Sequence, residues 1–116
     1  SVTFSHRDTM RCVIHVSDMA EVFARVSLAD SPKHETYNSG GATVSLGELA
    51  ALVTEFLPEA DIRFDQVGGG RAISGNFMID NSRVVEEFGV QYAPLRQRVM
   101  EVINDIRRDV GLPLVD

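Results

Sequence analysis

The chain has 116 residues, 44% of them hydrophobic and 24% charged, so it has room for one small globular domain and not for two. Its net charge of −6 argues against binding to nucleic acid or to an anionic membrane surface, because both need a basic face. A single cysteine, Cys12, excludes an internal disulfide bond and a thiolate zinc cluster. No apolar run could span a bilayer and no secretory leader is recognisable, so we expect a soluble, cytoplasmic protein.

The first third of the chain predicts a strand, a helix and a second strand. Residues 12–16 form an apolar, β-branched run that is typical of a buried strand. Asp18 and Glu21 have the spacing of a capping box, and apolar residues then recur at helical intervals, so we expect a helix that ends before Pro32. Residues 35–38 predict the second strand, which the glycines after it should end.

The middle of the chain predicts a helix, a strand and a loop. Ser45 and Glu48 form the clearest capping box, and the amphipathic helix that follows must end before Pro58. Residues 62–65 alternate apolar and polar side chains, as a third strand does. Three consecutive glycines at 68–70 open a loop, and residues 76–79 have the composition of a short extended segment.

Two helices are expected near the end of the chain. Residues 80–82 supply three candidate caps for a short helix, and Gly89 stands where a left-handed residue would end it. Pro94 suits the first position of the last helix, which Gly111 and Pro113 terminate. This order predicts an α/β or α+β lobe, with a small sheet and about four helices, as a single domain over residues 1–116.

Most catalytic motifs are absent from the sequence. It contains no dinucleotide-binding glycine loop, no phosphate-binding P-loop and no nucleophile elbow. The three histidines, His6, His15 and His34, lack the spacing of a metal site. For His15, a buried histidine with one satisfied hydrogen bond is favoured over an acid/base role, and Cys12 is interpreted as a small core residue.

Two arginines are the candidate binding residues. Arg11 stands at the start of the first predicted strand, and Arg71 directly follows the three glycines. A guanidinium is a planar fork of donors that suits a phosphate or a carboxylate. By position alone either arginine is more often an ordinary surface residue, so their assignment depends on a further signal.

Three segments provide that signal, because together they resemble the extended short-chain dehydrogenase/reductase family, the NAD-dependent epimerase/dehydratase group that includes the UDP-glucose 4-epimerases. Residues 11–20 resemble the family's R-x-x-x-H-V-x-D-x-A segment. Residues 37–41 resemble its Y-N-x-G-x strand end, and residues 80–90 its D-x-S-[KR] segment before the last helix. The segments occur in the family's order, with matching helices between them, from about Arg11 to Arg108.

The resemblance implies that the chain is the C-terminal, substrate-binding lobe of such an enzyme. In the nucleotide-sugar members, the arginines that correspond to Arg11 and Arg71 hold the substrate diphosphate. The Gly-Asp pair that follows the second arginine in the family is missing here, so the substrate class stays open between nucleotide sugars and other small molecules. The reaction stays open too, between epimerase, dehydratase and reductase chemistry.

The resemblance also places the cofactor and the catalytic residues outside this chain. The family's cofactor loop and its catalytic Tyr-x-x-x-Lys pair are absent, and Lys33 is the only lysine. We therefore expect NAD or NADP in an intact parent enzyme, no cofactor and no catalytic residue in this fragment, and no activity from the fragment alone. The alternative is a stand-alone, non-catalytic binding or assembly module derived from the same lobe. Under the first hypothesis an apolar face is left uncovered, which predicts self-association.

Overall fold

The computed structural model describes residues 1–65 and 75–116, which contain four strands and four helices. The predicted fold class, a small α/β lobe with four helices, is confirmed. The elements in chain order are β1 Val2–Ser5, β2 Met10–Val13, α1 Val16–Ser27, β3 Ala42–Ser45, α2 Leu46–Phe56, β4 Ile62–Asp65, α3 Ser82–Phe88 and α4 Leu95–Asp109.

The strands pair as two separate ribbons. β1 and β4 are parallel, with Val2 opposite Ile62 and Ser5 opposite Asp65. β2 and β3 are antiparallel, with Arg11 opposite Val44. Because β3 runs directly into α2, the second ribbon and α2 form one continuous unit.

The first predicted strand and helix meet earlier in the chain than the sequence suggested. The strand predicted at 12–16 is β2, which ends at Val13, and α1 already begins at Val16. His15 caps this helix, since its Nδ1 accepts a hydrogen bond from the Ser17 amide at 3.1 Å. The prediction that Asp18 caps the helix is wrong, and Asp18 is instead buried inside the first turn.

The second strand was predicted in the wrong place. Residues 35–38 are irregular, and the strand is β3, where Thr43 and Val44 supply the β-branched side chains. Tertiary contacts hold the 35–38 segment instead: the Tyr37 hydroxyl donates to Glu87, and the Asn38 amide donates to the Asp80 carbonyl. The 76–79 segment is not a strand either, and β1 had no predicted counterpart.

The helix ends largely follow the predicted signals. α2 has the full capping box, in which the Ser45 hydroxyl accepts from the Glu48 amide and the Glu48 carboxylate accepts from the Ser45 amide. α3 ends at Gly89, whose φ of 63° is the left-handed conformation that glycine adopts at no steric cost. Pro94 is the N-cap of α4 and not its first residue.

The core of the described residues is small. Val22, Val84 and Val90 form one buried cluster, against which Tyr37 and Phe88 pack. The molecule measures 49 × 40 × 18 Å, and its radius of gyration is 17.0 Å, whereas a compact domain of this length has about 13 Å. The chain is therefore a thin slab that leaves large apolar side chains in solvent. These include Val16, Phe23 and Leu28 on and after α1, and Val102, Ile106 and Val110 on and after α4.

Candidate functional site

Arg11 lies in the middle of β2 with its side chain exposed. One guanidinium nitrogen donates to the carbonyl of Met10 at 2.9 Å, and within residues 1–65 and 75–116 no carboxylate pairs with it. Most of its fork of donors is therefore available to a ligand. Arg71, the second predicted binding residue, lies outside the described residues.

Most other arginines of the described chain have a carboxylate partner, which Arg11, Arg7, Arg83 and Arg107 lack. Arg83 and Arg107 each donate to a backbone carbonyl, of Thr36 and Pro113 respectively. Arg7 has its guanidinium 5.6 Å from the centre of the Phe64 ring and, in the described ranges, no ion pair. The arginines with a carboxylate partner are Arg25, Arg63, Arg96, Arg98 and Arg108.

His15 has a structural task in this fold. Its ring nitrogen accepts a backbone hydrogen bond at the start of α1, and its carbonyl accepts from the Met19 amide at 3.0 Å. A ring nitrogen that caps a helix is not free to take a proton from a substrate. Cys12, in β2, is half-buried and lies near Gly41, where an added Cβ would be 3.3 Å from its sulfur and 2.3 Å from the Val13 carbonyl oxygen.

The Asp of the first motif makes a buried polar contact between two helices. The carboxylate of Asp18, which is only 4% exposed, accepts hydrogen bonds from Nε and Nη2 of Arg98 on α4, at 3.0 and 2.6 Å. Arg98 also donates to Glu101 at 2.5 Å. Hydrogen bonds to Asp18 and Glu101 raise the pKa of Arg98, and the bond from Arg98 lowers the pKa of Glu101. Nothing in the sequence indicated that Asp18 and Arg98, 80 positions apart, would meet.

The tyrosine of the second motif is also held internally. The Tyr37 hydroxyl donates to Glu87 at 2.6 Å, and burial, followed by this bond, raises the pKa of Tyr37. Burial works against the ionised Glu87, but the bonds from Tyr37 and from the Lys33 amide lower the pKa of Glu87 overall. The other tyrosine, Tyr92, donates to the Ser39 carbonyl, and burial raises its pKa as well.

The third motif packs against the second. Asn81 donates to the Ser39 carbonyl at 3.4 Å, and a Cβ at Gly40, whose φ is +62°, would lie 2.8 Å from the Cβ of Asn81. Asp80 accepts from the Ser82 amide at 2.9 Å, and this bond lowers the pKa of Asp80. The residues of these two motifs therefore build the fold around α3.

Two surface depressions are relevant to ligand binding. An apolar pocket of about 280 Å³ lies between the end of β2, α2 and α4, with His15 and Arg98 at its polar edge. A groove of about 500 Å³ lies beside the start of α2, and we call it the α2 groove. Its lining residues are Arg7, Asp8, Met10, Ser45, Gly47, Glu48 and Ala51.

Metal and membrane features were sought in the same residues. Across residues 1–65 and 75–116, no three side chains of His, Cys, Asp or Glu are grouped so as to hold a metal ion. Among the helices of the described chain, none is both long and apolar enough to cross a bilayer.

Comparison with known proteins identifies the fold. No family model matches the sequence, and no curated protein does. Among solved structures, the chain is similar to the holo form of a GalE-like L-threonine dehydrogenase from Cupriavidus necator, with a TM-score of 0.71 at 20% identity. The match covers 90% of this chain and 36% of that one, so the chain spans about a third of the dehydrogenase. The chain therefore has the fold of about a third of this dehydrogenase, which agrees with the predicted fold class.

Proposed function

We propose that the chain is the substrate-binding lobe of an NAD- or NADP-dependent enzyme of the extended short-chain dehydrogenase type, an epimerase, dehydratase or related oxidoreductase. The observation that carries the proposal is the match of nearly the whole chain to one third of a dehydrogenase. The three family-like segments at 11–20, 37–41 and 80–90 support it, because they occur in the family's order.

In this proposal Arg11 binds an anionic group of the substrate. Its exposed guanidinium lacks a carboxylate partner in the described chain, and a guanidinium can hold a phosphate or a carboxylate through two parallel hydrogen bonds. Arg71 is the second proposed anion-binding residue, on the strength of the sequence resemblance alone. The substrate is a nucleotide sugar if the resemblance to epimerases extends to function, or a small amino acid if the likeness to the L-threonine dehydrogenase does.

In this proposal neither tyrosine of the chain is the catalytic tyrosine that acts with the cofactor. Catalysis of this type needs a tyrosine that a neighbouring lysine helps to ionise, which requires a lowered tyrosine pKa. The chain has two tyrosines, and the hydroxyl of each donates to another group of the fold while burial raises its pKa. The cofactor and the hydride transfer that it supports therefore belong, in this proposal, to residues outside the 116-residue chain.

Substrate binding tests the proposal directly. Titration calorimetry of the chain with a nucleotide diphosphate sugar and with L-threonine should show binding of one of them. Arg11→Ala should weaken it by a factor of about 10 to 150, the equivalent of 1.5–3 kcal/mol for hydrogen bonds to a charged group. Arg83→Ala is the matched control, because Arg83 also lacks a carboxylate partner but lies on α3. Equal binding by the parent chain and Arg11→Ala, or turnover of a redox substrate by the chain alone, would contradict the proposal.

The exposed apolar side chains favour a second property, self-association of the isolated chain. Phe23 is 72% exposed and lies on α1. The side chains of Val16 and Met19 on the same helix, and of Leu28 at its C-cap, are also exposed. Apolar patches of this kind promote association in water. Light scattering at rising concentration should show oligomers, and Phe23→Glu should shift them towards monomer. A monodisperse monomer at high concentration would contradict this part of the proposal and would leave the Arg11 assignment untouched.

A further inference from the structure

One side of α4 presents an apolar row that the rest of the described chain leaves exposed. Val102, Ile106 and Val110 are 45%, 60% and 64% exposed. They recur at every fourth residue of α4 and its C-cap, so they form one ridge, which we call the α4 ridge. We propose that the α4 ridge is the contact surface between two copies of this chain, which pack together with two-fold symmetry. The inference goes beyond the proposed function, because it does not depend on Arg11 and concerns a different helix from that of Phe23.

An apolar pocket adjoins the α4 ridge. It is the pocket of about 280 Å³ between the end of β2, α2 and α4, and Val102 belongs both to its lining and to the ridge. β2 contributes Val13 to the lining, and α2 contributes Leu49 and Val53. The chain therefore carries a projecting apolar row and an apolar hollow side by side. A two-fold contact can bury both features in both copies at once, since each copy offers the same patch to the other.

An antiparallel crossing of the two α4 helices at Ile106 uses both features. In this crossing Val110 of each copy lies opposite Val102 of the other, at the mouth of the pocket. Rows formed by every fourth residue interlock when two helices cross at about 50°. A parallel crossing at the same point would instead set the two pockets against each other and leave a void between the copies. Because side chains that line a void lose contacts, the antiparallel arrangement is favoured.

The chain exposes enough surface for such a contact. Its accessible surface is 8086 Å². A compact monomer of 116 residues exposes about 6,300 Å², which is roughly 1,800 Å² less. A stable dimer of standard size buries about 800 Å² on each partner. The excess surface of one copy is therefore larger than its share of a dimer interface.

Charged groups near the α4 ridge already have partners within the chain. Asp105, which precedes Ile106, pairs with Arg108 at 2.8 Å. Arg98, at the edge of the pocket, pairs with Asp18 at 2.6 Å. These ion pairs limit like-charge repulsion where the two copies meet. The net charge of −6 still acts between the copies at longer range, so the association should strengthen when added salt screens it.

Sedimentation velocity of the 116-residue chain tests the interface, in a Phe23→Glu background that removes the exposed aromatic ring of α1. The background chain should form a dimer as its concentration rises. Ile106→Glu should weaken this dimer about 100-fold or more, because it places an unpaired carboxylate at the contact. Met78→Glu is the matched control, since Met78 is 81% exposed and lies outside the helices, and it should leave the dimer unchanged.

Disulfide trapping tests the two-fold symmetry without adding a charge. The background for this test is Cys12→Ser, which removes the only cysteine of the chain. With oxidised glutathione, Ile106→Cys should form a covalent dimer, because the residue at the crossing point meets its own copy at a distance that a disulfide can span. Met78→Cys is the control and should form far less covalent dimer under the same conditions.

The outcomes separate this inference from the proposed function. A background chain that stays monomeric at high concentration would overturn the inference and leave the α4 ridge to a partner other than this chain. A dimer that Ile106→Glu leaves intact, or equal trapping of Ile106→Cys and Met78→Cys, would also overturn it. None of these results changes the substrate titration with Arg11→Ala. A failure of that titration beside an intact α4 dimer would overturn the proposed function alone.

Discussion

Two parts of the molecule use family-like residues in opposite ways. Around α3, Tyr37, Asn81 and Asp80 of the second and third segments form hydrogen bonds inside the fold. Asp18 and His15 of the first segment do the same. On β2, by contrast, the guanidinium of Arg11 has no carboxylate partner in the described chain. A motif that resembles a family's thus mixes residues that build the lobe with residues that remain available to a ligand.

The comparison predicts where substitutions change stability and where they change binding. Residues of the internally bonded part should alter the free energy of unfolding and leave anion binding to the surviving folded chain unchanged. Arg11, whose side chain is exposed, should do the reverse. Each of the following experiments measures unfolding by urea at fixed chain concentration, because association would otherwise shift the apparent stability.

The largest effect is expected at Asp18. Asp18→Ala removes the buried partner of Arg98, whose side chain is only 19% exposed, and so leaves a charge with poor access to water. Loss of one member of a buried pair costs about 3–5 kcal/mol, and we expect the lower end because Glu101 still contacts Arg98. Asp105→Ala is the control, since its pair with Arg108 is exposed and should contribute about 1 kcal/mol or less. Equal effects of the two substitutions would remove the distinction between the two parts of the molecule.

A smaller loss is expected at Val84, whose side chain is 0% exposed at the centre of the core cluster. Val84→Ala deletes two buried methyl groups and leaves a cavity, which should cost roughly 2 kcal/mol. Its neighbour on α3, Val85, is 40% exposed, so Val85→Ala should change the unfolding free energy by less than about 0.5 kcal/mol. If both substitutions cost the same, the cluster around α3 is not the core of the isolated chain.

The start of α2 should respond to the loss of its cap and to acid. Ser45→Ala removes the hydroxyl that accepts from the Glu48 amide, which should cost about 1 kcal/mol. The bonds from Ser45 lower the pKa of Glu48 below the 4.5 of a free glutamate. The stabilisation of the fold by ionised Glu48 is therefore present above about pH 4.5 and is lost as the pH falls through the lowered pKa. Unfolding measured from pH 7 to pH 3 should show a smaller acid-induced loss for Glu48→Gln than for the parent chain.

The smallest effect on stability is expected at Arg11. Because its side chain is exposed and bonds only to the adjacent Met10 carbonyl, Arg11→Ala should shift the unfolding free energy by less than about 0.5 kcal/mol. The same variant should show the large loss of ligand binding described above. A variant that unfolds easily and binds normally would assign Arg11 to the fold instead of the site.

Helix ends were the part of the fold that the sequence predicted best. Ser45, Glu48 and Gly89 act within a few residues of their own position, so local chemistry determines what they do. The strands were predicted less well, because pairing depends on partners far along the chain. β1 exists only through its pairing with β4, some sixty residues later, and Tyr37 lies in an irregular segment because Glu87 holds its hydroxyl.

The candidate site was predictable only in part. The resemblance pointed to Arg11, which lies on β2 with its side chain exposed. It could not tell that Asp18 would be buried, because its partner Arg98 lies on the last helix. The spacing of residues along the sequence indicates which of them match a motif. Burial and contacts in the folded chain decide which of those residues remain available to a ligand.

The thinness of the slab has a thermodynamic consequence. A molecule that is 18 Å across in one direction buries little apolar surface when it folds. The heat-capacity increment of unfolding and the denaturant m value both scale with the surface that unfolding exposes. Both quantities should therefore fall below those of a compact domain of 116 residues, and the melting transition of the isolated chain should be correspondingly broad.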